Sequence, residues 1–245
     1  MQYAEGPDVS EHNGLKTDFA MARQYGQDFV IVRLGRGVLP DGSAPENVKR
    51  ARANGFPVLG YWYDYPRYGL AQVDVCVQTI EGLGGTEIIK AIGWDVEEEQ
   101  FGLPVAEYRQ EVSDALGRLE MAYWTEYVKV YTSAYKWGKT VGGNVPGAER
   151  FGLWAAHWTL RMPPYAPYCP PQWGGHDGDW EFWQYLVGMV PWHANGLKLI
   201  DLNRANMTDQ EFMAKYGDED PPVGEVVQAK LVYPRGKINL TVEEI

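Results

Sequence analysis

The sequence predicts an α/β fold: an irregular eight-stranded, parallel-type (β/α) barrel whose helices are short or missing in the second half. Three observations carry this. Apolar runs that read as strands alternate with amphipathic stretches at intervals of about thirty residues through residue 133, the pattern of βαβ units. Strand-like runs total eight, the number that closes a parallel barrel. The 245 residues are also enough for one barrel of this kind.

The elements follow in order. Val9 belongs to a short first strand in GPDVSEHNG (6–14), whose end is polar. Helical spacing over 16–25 precedes a buried strand, Phe29 to Leu34. A helix over 45–54 stops at Asn54-Gly55, and Pro57 to Tyr63 forms the next strand. Leu70, Val73, Val77 and Ile80 share one face of a helix over 70–82, which leads into a fourth strand, Ile88 to Glu97. Tyr108, Val112, Leu116 and Leu119 mark a long amphipathic helix over 104–124, and Val128 to Thr132 resumes the strand pattern. Beyond it GLWAAHW (152–158), EFWQYL (181–186) and LKLIDLN (197–203) read as three strands joined by loops. The stretch 161–179, rich in Pro, Gly and Tyr, has no periodicity and reads as an irregular loop. The barrel is expected to occupy 1–216 and a polar, proline-bearing linker 217–224. Residues 225–245 are too few for a core of their own; they read as either a docked β-hairpin or the start of a truncated accessory domain.

Composition excludes several functions. With 22 basic and 33 acidic residues the chain carries a net charge of −11, which argues against nucleic-acid binding through phosphates and against simple attraction to an anionic envelope. No apolar run approaches the ~20 residues of a membrane span. The opening Met1 to Gly6 lacks the charged and apolar regions of a signal peptide, so either export uses another route or the mature form has been given a new start. Cys76 and Cys169 are expected as two buried free thiols rather than a bridge. His12, His157, His176 and His193 show no metal spacing, and neither metal nor cofactor is expected. Ten Trp and sixteen Tyr suit both core filling and stacking on sugar rings.

The sharpest chemical signal is Ile92-Gly93-Trp94-Asp95-Val96-Glu97. Alternation along a strand puts Asp95 and Glu97 on one side, their Cα atoms about 6.5 Å apart. Two such carboxylates can divide acid and base roles and hydrolyse a glycosidic bond, although Asp-x-Glu at a strand end is more often merely solvated. The other strand ends supply Asp8, Ser10 and Glu11; Arg33 and Arg36; Tyr61, Tyr63 and Asp64; Glu98 and Glu99; Tyr131; His157 and Trp158; Gln184 and Tyr185; Asp201 and Asn203. Closure sets the last strand beside the first, making Asp201 and Asp8 neighbours. Four carboxylates then surround one cleft, an arrangement that costs stability through repulsion and so points to function. The plainer readings are that Asp8 and Asp201 cap helices or turns, that the aromatics fill the barrel, and that Arg33 neutralises the acids.

These residues carry a resemblance to glycoside hydrolase family 25, the β/α-barrel N-acetylmuramidases of lysozyme and endolysin type. It rests on GPDVSEHNG, FVIVRLGRG (29–37), GYWYDYP (60–66), WDVEEE (94–99), VYTSAY (130–135), LWAAHW (153–158), FWQYL (182–186) and IDLNRAN (200–206), in family order. The resemblance implies an endo-acting muramidase that cuts the β-1,4 bond between N-acetylmuramic acid and N-acetylglucosamine in peptidoglycan, of phage endolysin type, made in a host cytoplasm, released at lysis and acting on the bacterial wall; a monomer is expected. It makes Glu97 the general acid, Asp95 its partner at the N-acetyl group or the developing cation, and Asp8 and Asp201 the flanking acids. Tyr61, Tyr63, Tyr131, Trp158, Gln184 and Tyr185 become candidate substrate contacts. The second step stays open between a carboxylate nucleophile, an activated water and the substrate's own N-acetyl oxygen, which the resemblance favours. A silent sugar-binding barrel and a phage structural component are the alternatives. One departure stands out: the family's third-strand motif often has His after its first Tyr, where this chain has Tyr61-Trp62-Tyr63.

Overall fold

In a computed structural model of the chain, which describes residues 3–158, 166–193 and 199–218, eight strands close into a ring. They are β1 (Tyr3–Val9), β2 (Val30–Arg36), β4 (Val58–Tyr63), β5 (Ile89–Asp95), β6 (Val128–Thr132), β7 (Gly152–Ala156), β8 (Phe182–Met189) and β9 (Leu199–Thr208). A two-residue β3 (Leu39–Pro40) folds back on the end of β2 and stays outside the ring. From β1 to β8 each neighbouring pair is parallel. The last strand departs from the parallel expectation: β9 is antiparallel to both β8 and β1. Its connection explains this, since only residues 190–198 lie between Met189 and Leu199, and a parallel crossover needs a dozen or more. Residues 219–245, on which most of the expected linker and the hairpin fall, lie outside the described residues.

Helices α1 (Phe19–Gln24), α2 (Ala44–Ala53), α3 (Leu70–Gly82) and α4 (Val105–Ala122) cover the first half, within a few residues of the periodic stretches. Among the described residues of the second half, the α-helices are an eight-residue α5 (Ala134–Val141) and an eight-residue α6 (Asp209–Tyr216). Ser133 starts α5 by accepting the Lys136 N–H, and Thr208 with Glu211 forms a reciprocal capping box on α6.

Period-two alternation sorts the strand residues into two cores. Val30, Val32 and Leu34 of β2, Trp62 of β4, Ile92 and Trp94 of β5 and Val128 and Val130 of β6 point outward and pack with the helices, Val48, Val73, Val112 and Leu116 among them. Phe29, Ile31, Leu59, Ala91, Tyr131, Trp154 and Phe182 point into the barrel. Phe212 and Tyr216 of α6 close its floor, Phe212 stacking on Phe29 with centroids 4.7 Å apart. The interior is tight: a Cβ on Gly6 would lie 2.2 Å from the Phe29 carbonyl oxygen, and one on Gly93 would lie 2.9 Å from the Trp154 ring. A filled lower barrel leaves the upper mouth for chemistry. Cys76 and Cys169 are free and buried.

Candidate active site

Asp8 is the penultimate residue of β1 and sits in register with Asp201 of β9. Because β9 runs the other way, Asp201 comes near its start, yet still at the mouth. Asp95 ends β5, in register with Tyr63 of β4 and Tyr131 of β6, and Glu97 follows two residues on. The four acids are thus brought to one end of the barrel by three strand termini, those of β1, β5 and β9, that the hydrophobic alternation fixes independently.

A chain of hydrogen bonds organises the mouth. Asp8 Oδ2 accepts from Gln184 Nε2 at 2.9 Å and from Asn203 Nδ2 at 2.9 Å. Asn203 Oδ1 in turn accepts the Trp154 indole N–H at 2.9 Å. Gln184 Oε1 accepts from the Tyr131 hydroxyl and from the Trp158 indole, both at 2.9 Å. A buried glutamine therefore joins an acid, a tyrosine and a tryptophan that is 64% exposed on the rim. Tyr61 packs edge-on against Trp154, and the Tyr63 hydroxyl donates to Glu98 at 2.9 Å.

Electrostatically the site is built against ionisation. Burial raises Asp95 well above the ordinary carboxylate range, reinforced by the charges of Glu97, Asp64 and Asp8; its Oδ1 is buried without a hydrogen-bond partner among the described residues. Burial also raises Glu97, against the opposing charge of Lys136. Asp8 is raised by burial although Asn203, Gln184 and Arg33 all pull it down. Asp201 is pushed to about 8 by burial and by the charges of Asp8 and Glu97. Lys136 further anchors the site by donating to the Glu97 carbonyl at 2.8 Å.

Not every candidate reaches the cleft. Tyr185 follows Gln184 and so faces outward: its hydroxyl lies 3.4 Å from Glu5 and its ring under the Arg204 guanidinium, 4.6 Å from the centroid. The outward phase of β8 removes it from the substrate contacts. Tyr131 is buried beneath Gln184 rather than lining the surface. Glu99 is exposed and pairs with Lys139 at 2.9 Å. Arg33 bonds directly to Asp41 and Glu11, at 2.9 and 2.8 Å, and influences Asp8 and Asp95 only through its charge. Asn203, which the strand-end reading places beside Asp201, and Trp154, which that reading does not include, both stand inside the Asp8 network.

The sequence profile described as glycosyl hydrolases family 25 matches residues 7–189. The chain belongs to that family. It is a glycoside hydrolase. No curated protein sequence matches it. Among solved structures it is similar to the bacterial lysozyme from Streptomyces coelicolor, at 22% identity and a TM-score of 0.72, with 89% of this chain and 98% of that one covered. A muramidase from Trichobolus zukalii follows at 21% identity and 0.69, covering 87% and 99%. The catalytic domain of endolysin ply40 from bacteriophage P40 of Listeria monocytogenes gives 14% identity and 0.67, covering 88% and 98%. These likenesses establish the shared barrel, and the family match carries the membership.

Proposed function

We propose that this family 25 enzyme is an endo-acting muramidase that hydrolyses the β-1,4 bond between N-acetylmuramic acid and N-acetylglucosamine in peptidoglycan, working as an endolysin-type enzyme on the bacterial wall. The observation that carries this is the convergence of Asp8, Asp95, Glu97 and Asp201 on one barrel mouth whose burial favours their protonated forms.

Asp95 and Glu97 act as a pair that keeps a proton at neutral pH, because two adjacent carboxylates in apolar surroundings do not both ionise readily. Asp95 is almost wholly enclosed, whereas Glu97 is partly open. Glu97 is therefore the group that can reach a glycosidic oxygen and give it the proton, as general acid. Asp95, behind it, orients the N-acetyl group or faces the positive charge developing at the anomeric carbon. Asp8, fixed by Gln184 and Asn203, and Asp201 opposite it form the other wall. With the acetamido group held in place, its own oxygen is the preferred attacking atom, so no protein nucleophile is required.

The test is reducing-end release from purified, N-acetylated peptidoglycan by wild type beside Glu97→Gln. Products ending in muramic acid from wild type, with a loss of at least about 100-fold in the variant, are expected for removal of a general acid. No release by wild type on walls from several bacteria would overturn the reading in favour of a binding barrel.

A further inference from the structure

Two features outside the carboxylate cleft remain unexplained, and they coincide. Arg67 and Phe101 are the non-glycine residues among those described whose φ is positive, at 81° and 50°. They sit on different loops, after β4 and after β5, and are bonded to each other, the Arg67 guanidinium donating to the Phe101 carbonyl. The Arg67 backbone N–H also donates to Glu111 at 3.1 Å, tying the junction to α4. A left-handed conformation is costly for a residue as bulky as phenylalanine and persists where surrounding structure enforces it, commonly at ligand sites.

The strained junction displays aromatic rings to solvent. Tyr65 stacks on Phe101, with centroids 5.1 Å apart and planes 21° from parallel, and leans on Tyr68 at 5.7 Å. Phe101 and Tyr68 are each 45% exposed. Tyr68 is seated on Gly37, where φ is +50° and an added Cβ would come within 2.9 Å of the ring. Core formation does not account for this, because the rings stay wet while the barrel core is complete without them.

We propose that the Tyr65–Tyr68–Phe101 stack is a platform for a sugar of the glycan strand lying beyond the four sugars, two on each side, that flank the bond that is cut. The proposal rests on the peptidoglycan reading above and extends it along the strand. Position supports it: the platform is carried by the loops that continue β4 and β5, the strands presenting Tyr63 and Asp95. The Tyr63–Glu98 hydrogen bond links the two loops at the cleft. Chemistry supports it as well. A β-linked N-acetylhexosamine offers a flat C–H face and an acetamido methyl, which pack on exposed rings without needing a fixed hydrogen-bond pattern. Arg67 is occupied at the Phe101 carbonyl, so the rings and not a charge make the contact. An exposed aromatic surface also suits a protein of net charge −11 that must hold an anionic polymer at short range.

The test compares Phe101→Ala and Phe101→Tyr with wild type on long, peptide-free glycan strands and on tetrasaccharides of the same sugars. For Phe101→Ala, KM on long strands is expected to rise about tenfold, equivalent to about 1.4 kcal/mol, with kcat held within about twofold. Tetrasaccharides, reaching two sugars either side of the cut bond, are expected to show no such rise, and Phe101→Tyr to keep the wild-type KM. An unchanged KM on long strands, or equal losses on both lengths, would overturn the proposal and reduce the stack to loop packing. Calorimetric titration of long strands into Glu97→Gln, with and without Phe101→Ala, separates the two readings. Weaker binding with Phe101→Ala upholds the platform even if wild type cuts nothing, and equal binding sinks it even if wild type cuts well.

Discussion

Asp201→Asn makes the electrostatic character of the mouth measurable. The Asp201 carboxyl rises from 3.8 to about 8 on folding. A folded-state value above the unfolded one means the native protein holds the proton more tightly. Raising the pH through that window therefore removes stability, which is fully retained below about 4 and fully lost above about 8. Each pH unit inside the window is worth about 1.4 kcal/mol, so the three units from pH 5 to pH 8 correspond to about 4 kcal/mol. Asp201 is half-buried, and solvent screening reduces the figure to about 2 kcal/mol. Asparagine keeps the shape and does not titrate. The stability of the variant relative to wild type is expected to rise by about 2 kcal/mol between pH 5 and pH 8, a relative gain of about 5 °C in Tm for a chain of this size. Calorimetric melting of both proteins at the two pH values is the assay. Equal pH dependence in the two proteins, or a uniform loss in the variant at both pH values, would refute the reasoning. Activity should fall in the same variant, the usual opposition of stability and function at a strained site.

Further perturbations address neighbouring contacts. Asn203→Leu removes one donor from Asp8 and strands the Trp154 indole N–H; a loss of about 1–3 kcal/mol by urea unfolding is expected. In the same variant the Asp8 titration, followed by carboxyl carbon NMR, should move further up, because a hydrogen bond that favours the charged form is lost. Gly93→Ala pushes a Cβ to 2.9 Å from the Trp154 ring and should cost about 1–3 kcal/mol in the same assay. Moderate added salt should leave wall hydrolysis intact or raise it, since it screens repulsion between a −11 protein and an anionic wall; a steep loss would count against short-range recognition.

Much of this architecture was legible in the chain because two periodicities carry it. The outward Val30, Val32 and Leu34 and the helical Leu70, Val73 and Ile80 announce their elements directly, and the strand ends then name Asp8, Asp95, Glu97 and Asp201. The direction of β9 was not legible from its apolar pattern, which reads the same both ways; only the short connection before it decides. Tyr185 was misplaced for a local reason. FWQYL is apolar on both faces, so sequence alone does not say whether Gln184 or Tyr185 looks inward, and the Asp8 contact selects Gln184. The partners of Arg33 depend on Asp41, eight residues away around a hairpin, which no strand-end inventory includes.

The reversal of β9 has a spatial consequence for the whole polypeptide. Since β1 rises from the floor and β9 descends to it, Tyr3 and the end of α6 both lie on the face remote from the carboxylates. Asp218 is held there by ion pairs to Arg52 and Lys90, at 2.6 and 3.1 Å. Chain leaving Tyr3 or Asp218 therefore departs from the face opposite the one that carries Asp8, Asp95, Glu97 and Asp201, and leaves that mouth uncovered at both points.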